Sequence, residues 1–261
     1  MLMKTLKIIK IGGNIIDDPK ALDDFLYHFS TIEGPKILVH GGGKLATKLA
    51  EQMNIKVQMT DGRRITDPQT LDLITMVYAG KINKNIVTTL QKNACNALGF
   101  TGADGNTILS VKRPVKDIDY GFVGDVVKVN TTVLESLLAQ HITPVFCAIT
   151  HSTEGQLLNT NADTIAAELA IGFAQQYQTE LYYCFEKNGV LINVENDDSV
   201  IEHLTKETYQ DLLSQQIIVN GMLPKLNNCF YAIDHQVHKV CLGKPAMLYK
   251  QNSKFTTIQA S

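Results

Sequence analysis

The chain has 261 residues, 44% hydrophobic and 19% charged, with a formal net charge of −2. This balance excludes a largely disordered chain and gives no electrostatic footprint for nucleic acid or an anionic membrane, so any anion site must be local. Five cysteines lie in apolar stretches without C-x-x-C spacing, and no apolar run is long enough to span a membrane, which makes the cytoplasm the expected location.

The apolar run 6–11 carries Lys10 near its end and breaks at Gly12-Gly13. It predicts a buried strand that delivers a cation to a loop of bare backbone, although a surface lysine before an ordinary turn fits the same letters. Helical spacing follows over 19–29, with Asp17 and Asp18 as candidate caps and Pro19 tolerated in the first turn. A strand over 36–40 ends in Gly41-Gly42-Gly43, and a helix resumes over 44–53. Strand, helix, strand, glycine loop and helix form the grammar of a parallel α/β sheet, whose ligand crevice lies at the carboxyl ends of the strands.

Beyond that unit, Thr60-Asp61-Gly62-Arg63-Arg64 reads as a turn presenting cations, and 68–98 as a long helical region broken near Gly80. A glycine-rich loop covers 99–106, and hairpin strands are expected over 107–111 and 121–129. Then come a helix over 131–140, a strongly apolar strand over 142–149, a turn at 152–156, and a lead-in to an apolar helix over 164–173. The last third reads as a strand over 181–185, the turn Glu186-Lys187-Asn188-Gly189, a brief strand over 190–192, and helices over 206–215 and 222–233. Closing strands are expected over 237–242 and 246–249. No Pro-, Gly- or Ser-rich linker interrupts the chain, so two lobes, if present, share one sheet.

Four loops thus compete for one sheet edge, yet neither G-x-G-x-x-G nor G-x-x-x-x-G-K-[ST] occurs, and the dinucleotide and P-loop signatures both fail on spacing. Asn159-Thr160-Asn161-Ala162-Asp163 opens a helix. Asn161 as a simple cap and Asp163 as a dipole partner explain it without function; a ligand-binding Asn159 and a lysine-orienting Asp163 explain it with function. Lys225, taken alone, reads as a solvated helix residue.

In combination these segments resemble the amino acid kinase family, and within it the acylglutamate branch. The resemblance is carried, in order, by Lys10-Ile11-Gly12-Gly13, Val39-His40-Gly41-Gly42-Gly43, Gly62-Arg63-Arg64-Ile65-Thr66, Gly102-Ala103-Asp104-Gly105, Asn159-Thr160-Asn161-Ala162-Asp163 and Gly221-Met222-Leu223-Pro224-Lys225. It implies a three-layer α-β-α sandwich with a mainly parallel central sheet. Residues 1–175 would bind the acylglutamate and dimerise, and residues 176–261 would bind ATP.

The implied reaction is transfer of the γ-phosphoryl group of MgATP to the γ-carboxylate of N-acetyl-L-glutamate, as in arginine biosynthesis, with N-succinyl-L-glutamate as the alternative acceptor. Less favoured are a sister kinase of the family and a catalytically silent nucleotide sensor. By the resemblance, Lys10, Lys225 and Asp163 are catalytic, and Gly42, Gly43, Arg64 and Asn159 bind the substrate. Gly12, Gly13, Glu186, Asn188, Gly189, Val219 and Gly221 face the nucleotide, while His40 is structural. Mg²⁺ is expected on phosphate oxygens and water, with no protein ligand. The turn at Glu186-Lys187-Asn188-Gly189 departs from the family's D-V-x-G, which puts the adenine and ribose contacts there in doubt. Only five residues precede the first strand, so a homodimer without arginine feedback is expected, with no nucleic acid or membrane partner.

Overall fold

The computed structural model describes residues 3–60, 63–215 and 222–259. Strand β1 (Thr5–Ile11) passes through a single turn, α1 (Gly13–Ile16), into α2 (Pro19–Thr31), β2 (Lys36–His40) and α3 (Gly43–Gln52). A short hairpin of β3 (Gln58–Thr60) and β4 (Arg63–Ile65) precedes α4 (Pro68–Thr75), a π-helical turn (Met76–Ile82), α5 (Asn83–Lys92) and β5 (Ala97–Phe100). The middle of the chain forms β6 (Ile108–Lys112), β7 (Gly124–Val129), α6 (Thr132–Ala139), β8 (Thr143–Phe146), β9 (Ile149–His151), β10 (Leu157–Asn159) and α7 (Ala162–Phe173). The remainder is β11 (Gln178–Cys184), α8 (Lys206–Ser214), α9 (Leu223–Asp234), β12 (Lys239–Gly243), a 3₁₀ turn (Pro245–Leu248) and β13 (Thr256–Gln259).

Leu6, Ile8, Ile9 and Ile11 of β1 are all fully buried, and a strand apolar on both faces belongs inside a sheet covered on both sides. The main sheet has the order β13-β12-β11-β1-β2-β8-β5, parallel throughout except for β13. Ile8 packs into one apolar cluster with side chains of α6, α7 and α9, and Ile9 into a second cluster with α2, α3 and α5. These clusters are the two interfaces of an α-β-α sandwich. A smaller sheet, β10-β9-β6-β7, and the β3–β4 hairpin complete the first part of the chain.

Local chemistry sets the helix ends. The Asp18 carboxylate accepts from the N–H groups of Lys20 and Ala21 at the start of α2. At its other end, the buried Lys36 ammonium donates to the carbonyls of Phe29, Ser30 and Ile32, satisfying orphan acceptors with a cation that also suits the helix dipole.

Several sequence expectations need correction. The helical region 68–98 does not break at Gly80 but continues through the π-helical turn and ends at Lys92, and Ala97–Phe100 is an edge strand, too short and glycine-diluted to show a period. The apolar run over 142–149 divides into β8 and β9, which enter different sheets. Residues 246–249 fall largely in a 3₁₀ turn, started by Pro245, and the closing strand is β13. The expected strand 190–192 reduces to an isolated bridge between Leu191 and Val200.

Candidate active site

β1, β2 and β11 are parallel neighbours, so their carboxyl ends open on one edge and carry Lys10, the Gly41–Gly43 loop and the turn after Cys184 to the same crevice. The first turn of α7 faces that edge. Asn161 caps the helix, its Oδ1 accepting from the N–H groups of Asp163 and Thr164 at 2.7 and 3.2 Å. The cap fixes the Asp163 backbone, and the Tyr183 hydroxyl donates to the Asp163 carbonyl at 2.8 Å. The Asp163 carboxylate then bridges two cations. Lys10 Nζ lies 2.7 Å from Oδ1, and Lys225 Nζ, from the first turn of α9, donates to Oδ2 at 2.6 Å.

Burial alone would raise the Asp163 pKa, but Lys10 and Lys225 outweigh it and hold the carboxyl well below the usual carboxylate range. The three side chains are only 13–17% exposed, enough to meet a ligand and too little for water to screen the ions fully. Lys225 also sits over the rings of Tyr183 and Phe185, at 5.0 and 5.8 Å from their centroids. Lys10 and Lys225 lie 153 and 62 positions from Asp163 in sequence, and the fold assembles the three into one charged cluster.

A second cluster lies where β2 gives way to α3. Arg64, from β4, donates through Nη2 to the Gly43 carbonyl at 3.0 Å and to Thr47 Oγ1 at 2.8 Å. Asn159 Nδ2 donates to Thr66 Oγ1 at 3.0 Å, two residues beyond Arg64, so Gly43, Arg64 and Asn159 are linked through one short chain of contacts. His40 is fully buried and its pKa is pushed down to about 4 by burial, partly offset by its bond to the Gly41 carbonyl. Asn83 Nδ2 donates both to the Val145 carbonyl and to His40 Nε2, which makes Nε2 an acceptor and Nδ1–H the donor to Gly41. His40 therefore shapes the glycine loop and carries no charge.

A sequence model described as the amino acid kinase family matches residues 5–244. The chain belongs to the amino acid kinase family. Its acetylglutamate kinase relative from Cytophaga hutchinsonii is 54% identical over 257 residues, spanning 98% of this chain and 97% of the relative. The acetylglutamate kinase of Phocaeicola vulgatus is 53% identical over 92% of this chain and 94% of that relative. Among solved structures, the Streptococcus mutans UA159 protein smu.665 superimposes with a TM-score of 0.78 at 25% identity, covering 98% of this chain and 99% of the other.

For a member of the amino acid kinase family, three features of the site were not legible in the motifs. Gly12 donates its N–H to the Cys184 carbonyl at 3.1 Å, so the donor this loop can offer an anion is not that of Gly12. The Gly102–Gly105 segment turns on itself: Asp104 accepts from the N–H and hydroxyl of Thr101, and any side chain on Gly102 would strike the Ile108 carbonyl 2.7 Å away. Its glycines serve packing. Tyr78 and Ile82, from the π-helical turn, press on Gly42, and no sequence signal marks them.

In the turn after β11, Glu186 is exposed. The Asn188 side chain donates to the Asp197 carbonyl at 2.9 Å, and Lys187 and Lys244 both pair with the Asp197 carboxylate, at 3.0 and 3.3 Å. A side chain on Gly189 would meet Thr256 Oγ1 at 2.6 Å. Val219 and Gly221, also expected at the nucleotide, lie outside the described residues, as does Gly62 of the arginine motif. Among the described residues there is no group of three or more His, Cys, Asp or Glu side chains able to hold a metal ion, and no helix long and apolar enough to cross a membrane.

Proposed function

We propose that this chain transfers the γ-phosphoryl group of ATP to the γ-carboxylate of N-acetyl-L-glutamate, forming the acyl phosphate, as in arginine biosynthesis. The observation that carries the reading is the Lys10–Asp163–Lys225 bridge, found in a chain that shares about half its residues with acetylglutamate kinases along nearly its full length. Phosphoryl transfer requires alignment and positive charge around a loose anionic transition state, and little covalent work from the protein. In this reading Lys10 stabilises the phosphoryl group in flight and Lys225 the leaving oxygens, while Asp163 holds the two ammonium groups at fixed separation. The acceptor carboxylate attacks the γ-phosphorus as the bond to the β,γ-bridging oxygen breaks, and ADP departs with that oxygen's electron pair. The acceptor is already ionised at neutral pH, so no general base is required.

Gly42, Gly43, Arg64 and Asn159 hold the acylglutamate, with the Arg64 guanidinium attracting its α-carboxylate. Gly13, Asn188, Gly189 and the exposed Glu186 face the nucleotide, whose phosphates carry Mg²⁺; both Asp163 oxygens are already committed to lysines, which fits a metal held by phosphate and water and neutralising phosphate charge there. Residues 1–175 supply the acylglutamate side and residues 176–261 the nucleotide side. The assembly is a homodimer, a reading consistent with the open edge at β5, where Leu98 is 46% exposed.

The test is an acyl-phosphate assay, with hydroxylamine trapping the product as a hydroxamate, on the wild type and Lys10→Ala. The wild type should consume ATP only when N-acetyl-L-glutamate is present, and the variant should lose about 100-fold in kcat with KM changed little. An unaltered kcat would remove Lys10 from the chemistry.

A further inference from the structure

Two polar atoms overlook the open space above Gly43. A side chain there would begin 3.9 Å from Arg64 Nη2 and 3.9 Å from the Tyr78 hydroxyl, and these are its nearest neighbours. Tyr78 is only 5% exposed and belongs to the π-helical turn Met76–Ile82, a local irregularity of the kind that often re-aims side chains at functional sites. The same turn sets its ring against Gly42, so the ring is fixed and the hydroxyl is delivered beside the guanidinium.

The chemistry of that neighbour is decisive. A guanidinium carries five donors and no acceptor, so Arg64 can give a hydrogen bond to the phenol oxygen and cannot receive the phenol's own proton. Arg64 is itself anchored through Nη2 to the Gly43 carbonyl and Thr47 Oγ1 and is not free to turn away. An O–H group held in a half-enclosed space next to a cation presents its proton to an anionic acceptor from outside the chain. Burial raises the Tyr78 pKa, with Arg64 partly opposing it, so the phenol keeps this proton throughout the neutral range.

We propose that Tyr78 is a substrate-binding residue whose hydroxyl donates to the same α-carboxylate that Arg64 attracts, so that a cation and a neutral donor read that carboxylate together. The assignment rests on the acylglutamate reading and adds a specificity residue to it. A hydrogen bond to a charged group is the strong kind, and its loss should be measurable in affinity alone.

The test is Tyr78→Phe, which keeps the ring on Gly42 and removes only the hydroxyl. Steady-state kinetics should show the KM for N-acetyl-L-glutamate raised about tenfold or more, with kcat and the KM for ATP changed little and the melting temperature unchanged. The discriminating ligand is 4-acetamidobutyrate, which retains the acetyl amide and acceptor carboxyl but lacks the α-carboxylate. Its inhibition constant should be the same for wild type and variant. An unaltered KM for N-acetyl-L-glutamate, or an equal loss with both compounds, would overturn the role given to Tyr78 while leaving the kinase reading intact. A wild type that neither phosphorylates nor binds N-acetyl-L-glutamate would overturn both.

Discussion

At the scale of single residues the proposed transfer turns on Asp163, a carboxylate with both oxygens held by lysines and, in that reading, neither a base nor a metal ligand. Its proposed work is positional: without a negative charge between them, two ammonium groups so close would repel, and one would swing toward solvent. Asp163→Asn keeps the shape and removes the charge. It should lower kcat by about 100-fold, a loss of the size seen when one preorganised electrostatic group is removed. The proposal has Lys10 and Asp163 acting as a unit, so the Lys10→Ala/Asp163→Asn double variant should fall little further than the worse single variant, and single-turnover rates for the three proteins check it. Multiplicative losses would show independent roles. The three charged residues were legible in the sequence because each sits in a short motif at an element end, where the backbone dictates its direction. Tyr78 was not legible, since its aim depends on a π-helical turn that no spacing rule announces, and the Gly12 N–H looked free only because Cys184, its acceptor, lies 172 positions away on a neighbouring strand.

At the scale of elements, the glycine loop after β2 has a steric reason for its composition besides the one the resemblance implies. The resemblance implies that Gly42 and Gly43 contact the substrate. The structure adds a steric cause at Gly42, where an added Cβ would lie 2.3 Å from Ile82 Cδ1 and within 3.0 Å of the Tyr78 ring. Gly42→Ala should therefore overpack the junction of α3 with the π-helical turn, costing about 1–3 kcal/mol of stability and raising the KM for the acylglutamate. Ile82→Val removes the nearest offending methyl, so the Gly42→Ala/Ile82→Val pair should recover part of the loss in a urea titration. Gly80→Ala, with no atom within 4 Å of the added Cβ, is the control and should cost little. Most elements were placed from periodicity and caps, with β2 recovered to its ends and α2 and α3 nearly so. The failures were β5, β10 and β13, strands of three or four residues that are too short to show a period; pairing rather than local pattern creates them.

At the scale of the whole molecule, the proposed division into an acylglutamate half and a nucleotide half does not divide the hydrogen-bonded framework. β1 pairs with β11 over seven residues, from Thr5 opposite Gln178 to Ile11 opposite Cys184, so the boundary between the halves runs between two adjacent central strands. Parting them would expose Leu6, Ile8 and Leu181 of one apolar cluster together with Ile9, Tyr182 and Cys184 of the other. The two halves therefore unfold together, and a buried group in either one reports on the stability of the entire chain. His40 is such a group, locked neutral between the Gly41 carbonyl and Asn83, whose amide also ties α5 to β8. Its folded pKa of about 4 lies below the ordinary value of 6.5. Between those limits the unfolded imidazole takes a proton that the folded one refuses, so stability is lost as pH falls from 6.5 toward 4, by at most about 1.4 kcal/mol per pH unit, and this contribution is constant above that window. His40→Gln removes the titrating group, so the variant, though less stable at neutral pH, should lose less of its remaining stability on acidification. Urea midpoints for both proteins at half-unit steps of pH test this, and parallel curves through the window would show that His40 is not the neutral, proton-refusing group the buried contacts require.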